Sequence, residues 1–578
     1  LVLVALRVPL LVALRAASAA LRLLLLRRAL GRLLLGRARL ISGTTTTRPA
    51  ASPTLGALGI ILSHPHDRIR CDDHSEFPGY RVSPVDSTGV NPDESLTPLA
   101  LLAKAEQAIS SLEDVLADLV AEFTARDLPL YLVGGSVRDA ILGRLGDDLD
   151  FTTPARPDVL KEILESWAGT VWDTGIDFGT VSAQHRGQQV EITTFRADTY
   201  DGQSRNPEVV FGDTLEGDLV RRDFRINAMA VELLLDDRGS LTGRFHDPVG
   251  GLDDLVNKRL DTPDTPEISF HDDPLRMLRA ARFVSHLGFN VADRVKKAMT
   301  DMSGQINRIT VERIQLELNK LMTGAAPWTG LNLLVNTGIA AHIFPEIPAM
   351  RDMKDEHHQH KDVYAHSMQV LRQAMEQEED GPDLVLRWAA LLHDCGKPQT
   401  RAFNDDGRVT FHHHEVVGAK LVRRRLRGLK YPKQMVADIS QLVYLHMRFY
   451  GFGEGQWTDS AVRRYVTDAG PLLPRLHKLV RADSTTRNQR KAARLQRTYD
   501  HLEERIADIA AREDLDRVRP DLDGNEIMTI LDLPAGPAVG RAWQFLKELR
   551  LERGPLERDD AIAELRTWWE AEQSQGKS

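Results

Sequence analysis

The chain has 578 residues, too many for a single hydrophobic core, so several domains are expected. Hydrophobic residues make up 42% and charged residues 27%, a balance that excludes a fibrous or disordered protein. The formal net charge of −9 excludes a chain that is basic throughout, so any nucleic-acid contact has to rest on local patches. Cys71 and Cys395 lie far apart in unlike contexts, which argues against a disulfide framework and for a reducing compartment, with the cytoplasm as default.

Residues 1–40 are Leu-, Val-, Ala- and Arg-rich, and no acid occurs before Asp67. Arg7, Arg15, Arg22, Arg27 and Arg28 cut the apolar runs below the roughly 18 residues of a membrane span, so no membrane association is expected. The stretch reads as an over-extended start without a fold of its own, with a transit-like amphipathic helix as the alternative. Residues 41–95 are rich in Thr, Pro, Gly and Ser and read as linker.

From about Thr97 a helical period begins (LLAKAEQAISSLEDVLADLVAEF), followed by a strand, a turn and a helix in LPLYLVGGSVRDAILG. Short apolar strands (LYLV, GTVSAQ, VEITTF) then alternate with helices up to residue 260, the pattern of a small α/β or α+β unit. Beyond about Pro274 the strands are expected to vanish and amphipathic helices to take over. The Phe195–Arg221 stretch, polar and interrupted by Gly and Pro, reads as a flexible loop.

The first chemical signal is Gly134-Gly135 at the strand-to-helix turn, followed by Arg138 and then by Asp148 and Asp150. Glycines there let backbone N–H groups approach a triphosphate, and the helix N-terminus adds positive potential. Two acids spaced by two in an extended segment project from one face, where they can share a pair of Mg²⁺ ions about 3.5–4 Å apart for in-line phosphoryl transfer. Glu191 in VEITTF is a candidate third carboxylate, with a plain strand-face acid as the alternative. The second block is Arg221-Arg222-Asp223 with Asn227, either a surface ion-pair cluster or a ribose contact; a carboxylate accepting from a ribose hydroxyl would select ribonucleotides, since deoxy analogues leave it unpaired. In the third, Asp272-Asp273-Pro274-Leu275-Arg276, Asp273 and Arg276 are three apart and expected on one helix face. The carboxylate can accept from the exocyclic amine of cytosine or adenine while the guanidinium donates to ring acceptors. Guanine and uracil offer the opposite edge, so this pair selects C and A without a nucleic-acid template. Alone, Asp-Pro-x-Arg would be a helix cap with an ion pair.

GGSVRDAILG, GDDLDFT, the RRD block and DDPLR together resemble the class II tRNA nucleotidyltransferase and poly(A) polymerase superfamily, from about residue 100 to the end. That resemblance implies that Asp148 and Asp150 hold the metals, Gly134 and Gly135 meet the triphosphate, Arg138 assists, and Arg222, Asp223 and Asn227 serve the nucleotide, as does Arg279. It makes Asp273 and Arg276 the base-reading pair, with Asp272 where the family has Glu. Glu312, Arg313 and Glu317 match its last head-and-neck motif, a brace for the base-reading helix.

Further on, LLHDCGKP sets His393 and Asp394 side by side, with His366 upstream and His414, His446 and Asp483 downstream. Imidazole and carboxylate suit divalent transition metals such as Ni²⁺, Mn²⁺ or Co²⁺. The set resembles the HD superfamily of phosphohydrolases, which implies a core site of His366, His393, Asp394 and Asp483, with His414 and His446 completing a second metal position. The FHHHE run leaves open whether His412, His413 or His414 is used. Basic segments at 423–430 and 487–497 are either solvated helix faces or RNA phosphate contacts.

The expected organisation is an extension (1–95), a polymerase-β-like α/β nucleotidyltransferase head (96–260), a helical neck (261–350), an HD domain (351–490) and a helical RNA-binding tail (491–578). The expected activity is addition of CCA to tRNA from CTP and ATP, with phosphohydrolase chemistry in the HD domain. A poly(A) polymerase, an enzyme adding only part of CCA, and an HD hydrolase with a non-catalytic head are the alternatives, and both a monomer and a homodimer stay open.

Overall fold

The computed structural model describes residues 97–198, 209–351, 353–355, 361–452, 457–486, 488–513 and 519–575, so the expected N-terminal extension lies outside them. Thr97 accepts from the Ala100 N–H at 3.3 Å and caps helix α1 (Pro98–Ser110). Sequence periodicity suggests one continuous helix here, but it breaks at Ser111, whose hydroxyl bonds back to the Ala108 carbonyl, and α2 (Glu113–Thr124) begins afresh. Each buries its own apolar stripe, Leu101/Ala105/Ile109 and Leu116/Leu119/Val120/Phe123.

The head is built on a seven-stranded sheet of order β3-β4-β5-β2-β1-β8-β9. In chain order come β1 (Tyr131–Val133), α3 (Gly134–Ile141), β2 (Asp148–Thr153), α4 (Pro157–Trp167), β3 (Thr170–Trp172), β4 (Thr180–His185) and β5 (Gln188–Thr194). Every neighbouring pair is antiparallel except β2 with β5. The expected loop at 195–221 is largely structured in its described parts. Strands β6 (Arg196–Asp198) and β7 (Val209–Phe211) form a hairpin, helix α5 (Leu215–Val220) follows, and 199–208 lie outside the described residues. Strands β8 (Ala230–Leu235) and β9 (Leu241–His246), helix α6 (Gly251–Val256) and β10 (Arg259–Leu260) complete the head.

The neck starts with α7 (Pro266–Asp272) and α8 (Leu275–Leu287). After β11 (Asn290–Val291) and α9 (Asp293–Asp301), α8 packs against α10 (Val311–Met322) and α11 (Pro327–Asn336), and α12 (Ile339–Ile343) follows. Strands do not vanish beyond Pro274 but shrink to two-residue pairs: β11 beside β10, β12 (Lys354–Asp355) with β13 (Lys361–Asp362), and β14 (Ala402–Phe403) with β15 (Val409–Thr410). Such short ladders carry too little periodicity to be read from sequence.

The HD region comprises α13 (Val363–Met375), α14 (Leu384–Leu392), α15 (Lys397–Thr400), α16 (His414–Gly428), α17 (Lys433–Leu445), α18 (Asp459–Ala469) and α19 (Leu473–Asp483). Helix α14 is buried from Leu386 to Leu392, and Arg387 within it is 4% exposed. Its guanidinium grips both oxygens of Glu378 (2.8 and 2.6 Å) and donates to the carbonyls of Met322 and Gly324 (2.6 and 2.9 Å) at the C-terminal end of α10, where Ser285 already holds the Leu321 carbonyl. Helix α20 (Gln489–Arg512) still packs Tyr499, Leu502 and Ile509 into the main core. Beyond it α21 (Gly524–Leu531), α22 (Pro537–Arg553) and α23 (Arg558–Gln575) close a small core of their own around Leu522, Ile527, Leu546 and Leu565.

Candidate active sites

In the head, alternation along β2 turns Asp148 and Asp150 outward while Leu149 and Phe151 enter the core, so both carboxylates share the face the sequence assigned to them. Glu191 on β5 is the direct partner of Asp150 across the parallel pair and is also exposed. Burial pushes the Asp150 carboxyl above its ordinary value against the pull of Arg222, with Glu191 and Asp148 adding to the rise. Asp148, Asp150 and Glu191 thus present their carboxylates on one face of the sheet.

Gly134 opens α3 with φ +67, a conformation that L side chains rarely adopt, and the Arg222 guanidinium lies 2.8 Å from where its Cβ would be. Ser136, the residue that completes the Gly-Gly turn, accepts from the Asp150 N–H at 2.9 Å and reaches the Asp148 carbonyl at 3.4 Å. One hydroxyl thereby stitches the Gly-Gly helix onto the acid-bearing strand.

From Arg138 a continuous polar network crosses the head. Arg138 donates to Asn227 (2.7 Å), Asn227 to Asp223 (2.9 Å), and Arg279 reaches Asp223 from the other side (2.7 Å). Arg279 and Arg282 then approach Glu317 on α10 at 3.9 and 3.4 Å, and Arg138, Arg279 and Arg282 all lie over the Phe283 ring. Burial would raise the Asp223 carboxyl, but Arg279, Asn227 and Arg276 hold it down to about 2. Glu317 acts as the brace the sequence suggested.

One expectation is corrected here. Asp273 and Arg276 do not share a helix: Pro274 forces Asp273 into extended backbone (φ −136), α7 ends before it, and α8 begins after it at Leu275. Asp273 accepts from the Leu275 N–H (3.1 Å) and from Arg313 (2.8 Å). Arg276 donates to the Ser269 hydroxyl (2.8 Å) and to the Arg221 carbonyl (2.7 Å). These contacts fit the cap-and-ion-pair reading, with Arg313 the direct partner of Asp273.

In the HD region the sequence-named residues converge. His366 Nε2 lies 3.3 Å from His393 Nε2, and His414 Nε2 lies 3.2 Å from His446 Nε2. Asp394 sits between the pairs, one oxygen 3.2 Å from His393 and the other 3.2 Å from His414, while Asp483 approaches His366 at 2.9 Å. Each of His393, His414 and His446 points Nδ1 at a backbone carbonyl three residues back, Ala390, Phe411 and Val443. Nδ1 is then the donor in each, so the facing Nε2 atoms of His414 and His446 are both acceptors that a cation or a proton reconciles. Two groups, His366/His393/Asp394 and Asp394/His414/His446, bring ligand atoms within 4.8 Å and meet at Asp394. His412 and His413 are exposed, which fixes the register on His414. Lys397, not anticipated, is buried with Nζ 2.8 Å from Asp394.

Burial would lower the His393 imidazole, but Asp394 and Asp483 lift it to about 10; burial and the neighbouring His393 and His414 press His446 down to about 3. A metal at His393 would compete with a proton there, so calorimetric titration with Mn²⁺ at pH 8, in two buffers of different ionisation enthalpy, should show proton release on binding; binding without proton release would show that His393 is neutral before the metal arrives.

Fold and sites together define a polymerase-type nucleotidyltransferase joined to an HD metal domain. Family profiles agree: "Poly A polymerase head domain" matches residues 130–261, "Probable RNA and SrmB- binding site of polymerase A" 288–350, and "HD domain" 363–514. The A-adding tRNA nucleotidyltransferase of Deinococcus radiodurans is 32% identical over 427 residues, covering 72% of this chain and 91% of its own. The chain belongs to the tRNA nucleotidyltransferase family. A CCA-adding enzyme of Levilactobacillus brevis is 43% identical over 210 residues, 36% of this chain and half of that one. In fold, the Bacillus stearothermophilus CCA-adding enzyme solved with CTP matches 80% of this chain and 98% of its own at TM-score 0.54 and 24% identity. Among the described residues no helix is long and apolar enough to cross a membrane.

Proposed function

We propose that this chain extends tRNA 3′ ends with CCA, drawing on CTP and ATP in the cytoplasm, and that its HD domain hydrolyses phosphoesters. The observation that carries the first part is an acid-bearing strand beside a Gly-Gly turn, from whose helix a polar network runs through Arg138, Asn227 and Asp223 to Arg279. The RNA 3′-OH attacks the α-phosphate, its O–P bond forms, and the bond to pyrophosphate breaks. Asp148 and Asp150 would hold Mg²⁺, which supplies charge for the attacking and leaving oxygens. Gly134 and Gly135 offer backbone N–H groups to the triphosphate. Asp223, ionised at any physiological pH, and Asn227 serve the ribose side, while Asp273 and Arg276 present the C/A-selective edge.

A second reading, addition of A alone, is favoured by one observation: the Deinococcus A-adding enzyme matches over twice the share of this chain that the Levilactobacillus CCA-adding enzyme does. Incubating the protein with tRNA transcripts ending at the discriminator base, at C or at CC, with each NTP supplied singly, separates the two. CMP incorporation on the first two supports CCA addition; AMP incorporation on CC ends alone supports the second.

Arg276→Ala tests the base edge. Each lost base-edge hydrogen bond costs about 1–3 kcal/mol of discrimination, so selection against UTP and GTP should weaken by roughly ten- to a hundredfold in kcat/KM. An equal loss of rate for all four nucleotides would make Arg276 a brace between Ser269 and Arg221 and nothing more.

A further inference from the structure

Asp218 on α5 is 2% exposed, although it belongs to none of the motifs that drew attention in the sequence. One oxygen accepts from Arg222 Nη2 at 3.0 Å; the other lies 3.5 Å from Arg221 Nε and 3.3 Å from the Arg196 backbone N–H at the base of the β6–β7 hairpin. From this anchor the Arg222 guanidinium extends onto the Gly134 turn, close enough that a Cβ there would collide with it, beside Asp150. Arg222 Nε is buried without a hydrogen-bond partner, so Asp218 is the one carboxylate among the described residues within ion-pair distance of this side chain. The Arg221 carbonyl, one residue earlier, holds Arg276. A buried acid at i thus holds the arginines at i+3 and i+4 and aims the Arg222 arm at the Gly-Gly turn, while the Arg221 backbone carbonyl receives Arg276.

We infer that Asp218 is a positioning residue for nucleotide binding, fixing Arg222 against the Gly134 turn where the triphosphate enters. The inference rests on the nucleotidyltransferase reading of the head. Its energetics follow from pre-organisation: a long arginine aimed by a desolvated carboxylate gives up less rotamer freedom when the nucleotide arrives. Asp218 itself touches no part of the nucleotide, so the loss should fall on binding more than on turnover.

The test is a double-mutant cycle in the full chain, with equilibrium binding of CTP and CMP and steady-state CMP addition to tRNA as readouts. Asp218→Asn keeps the shape, removes the charge and exchanges one acceptor oxygen for an NH2 donor. It should weaken CTP binding about tenfold, equivalent to 1.4 kcal/mol, leave CMP binding and the melting temperature nearly unchanged, and lower kcat by less than its effect on binding. In the presence of Arg222→Ala the Asp218→Asn change should add almost nothing. Unchanged CTP binding in a folded Asp218→Asn protein, equal weakening of CTP and CMP, or effects that multiply in the cycle would each overturn the assignment. Should Asp218→Asn melt early, Asp218→Glu, with the charge kept but displaced by one methylene, takes its place under the same criteria. Wild-type protein that binds CTP yet extends no tRNA would count against the nucleotidyltransferase reading and leave the cycle in binding still decisive for Asp218.

Discussion

Replacing Asp148 or Asp150 by alanine should abolish addition of both C and A, by a factor of about 10³ or more, while tRNA binding stays near wild type. The size follows from what the acids would do: charge stabilisation by a bound cation contributes several kcal/mol, and about 4 kcal/mol corresponds to three decades of rate. Folding should survive, because both side chains leave the sheet on its open face and the core contacts of β2 come from Leu149 and Phe151. Removing either acid also relieves the repulsion that Asp148 and Glu191 exert on Asp150. Single-turnover CMP addition together with filter binding of tRNA checks both halves. A variant that still extends tRNA at near wild-type rate would take these residues out of the reaction.

The second large effect is expected at Asp394. Its carboxylate is shared by both histidine pairs and by Lys397, so no other residue of the HD site has as many dependants. Asp394→Ala should eliminate phosphohydrolase activity and spare nucleotide addition. It should also take the carboxylate 2.8 Å away from the buried Lys397 ammonium and so lower the melting temperature. Asp394→Asn keeps the shape with a smaller penalty and is the better probe of chemistry. Hydrolysis of a cyclic phosphodiester, CMP addition and thermal melting measured on one preparation distinguish the outcomes; parallel loss of hydrolysis and addition in a protein that melts normally would contradict separate sites.

How much of this was legible beforehand depended on whether a signal was local. Gly134, Gly135, Asp148 and Asp150 could be found because strand alternation and a glycine turn are written in consecutive residues. The HD ligands could be found because His393-Asp394 is contiguous, but the choice among His412, His413 and His414 needed the burial that only folding reveals. Asp218 and Lys397 were missed, and Ser136 was seen only as part of the Gly-Gly turn, because each acts through a partner whose identity depends on packing: the Arg222 side chain lying along Gly134, the Asp394 carboxylate, the Asp150 N–H. Asp273 was misplaced for a local reason, the failure to let Pro274 break the helix. Helix-dominated segments from 275 to 350 were readable because their apolar stripes repeat, whereas the two-residue strands among them have no period to detect.

The grip of Arg387 on Glu378 and on the end of α10 bears on how separable the two activities are. Chemically the head and the HD site can be silenced one at a time, but mechanically they are riveted. The helix that delivers His393 and Asp394 is fastened by its own guanidinium to the last turn of the helix that braces the base-reading segment. Cutting the chain between neck and HD region would strip the Met322 and Gly324 carbonyls of their donor and leave one end of that brace loose. Chimeras that exchange the HD region therefore need to carry the Arg387–Glu378 clasp with them, because the neck has borrowed its terminal cap from the neighbouring domain.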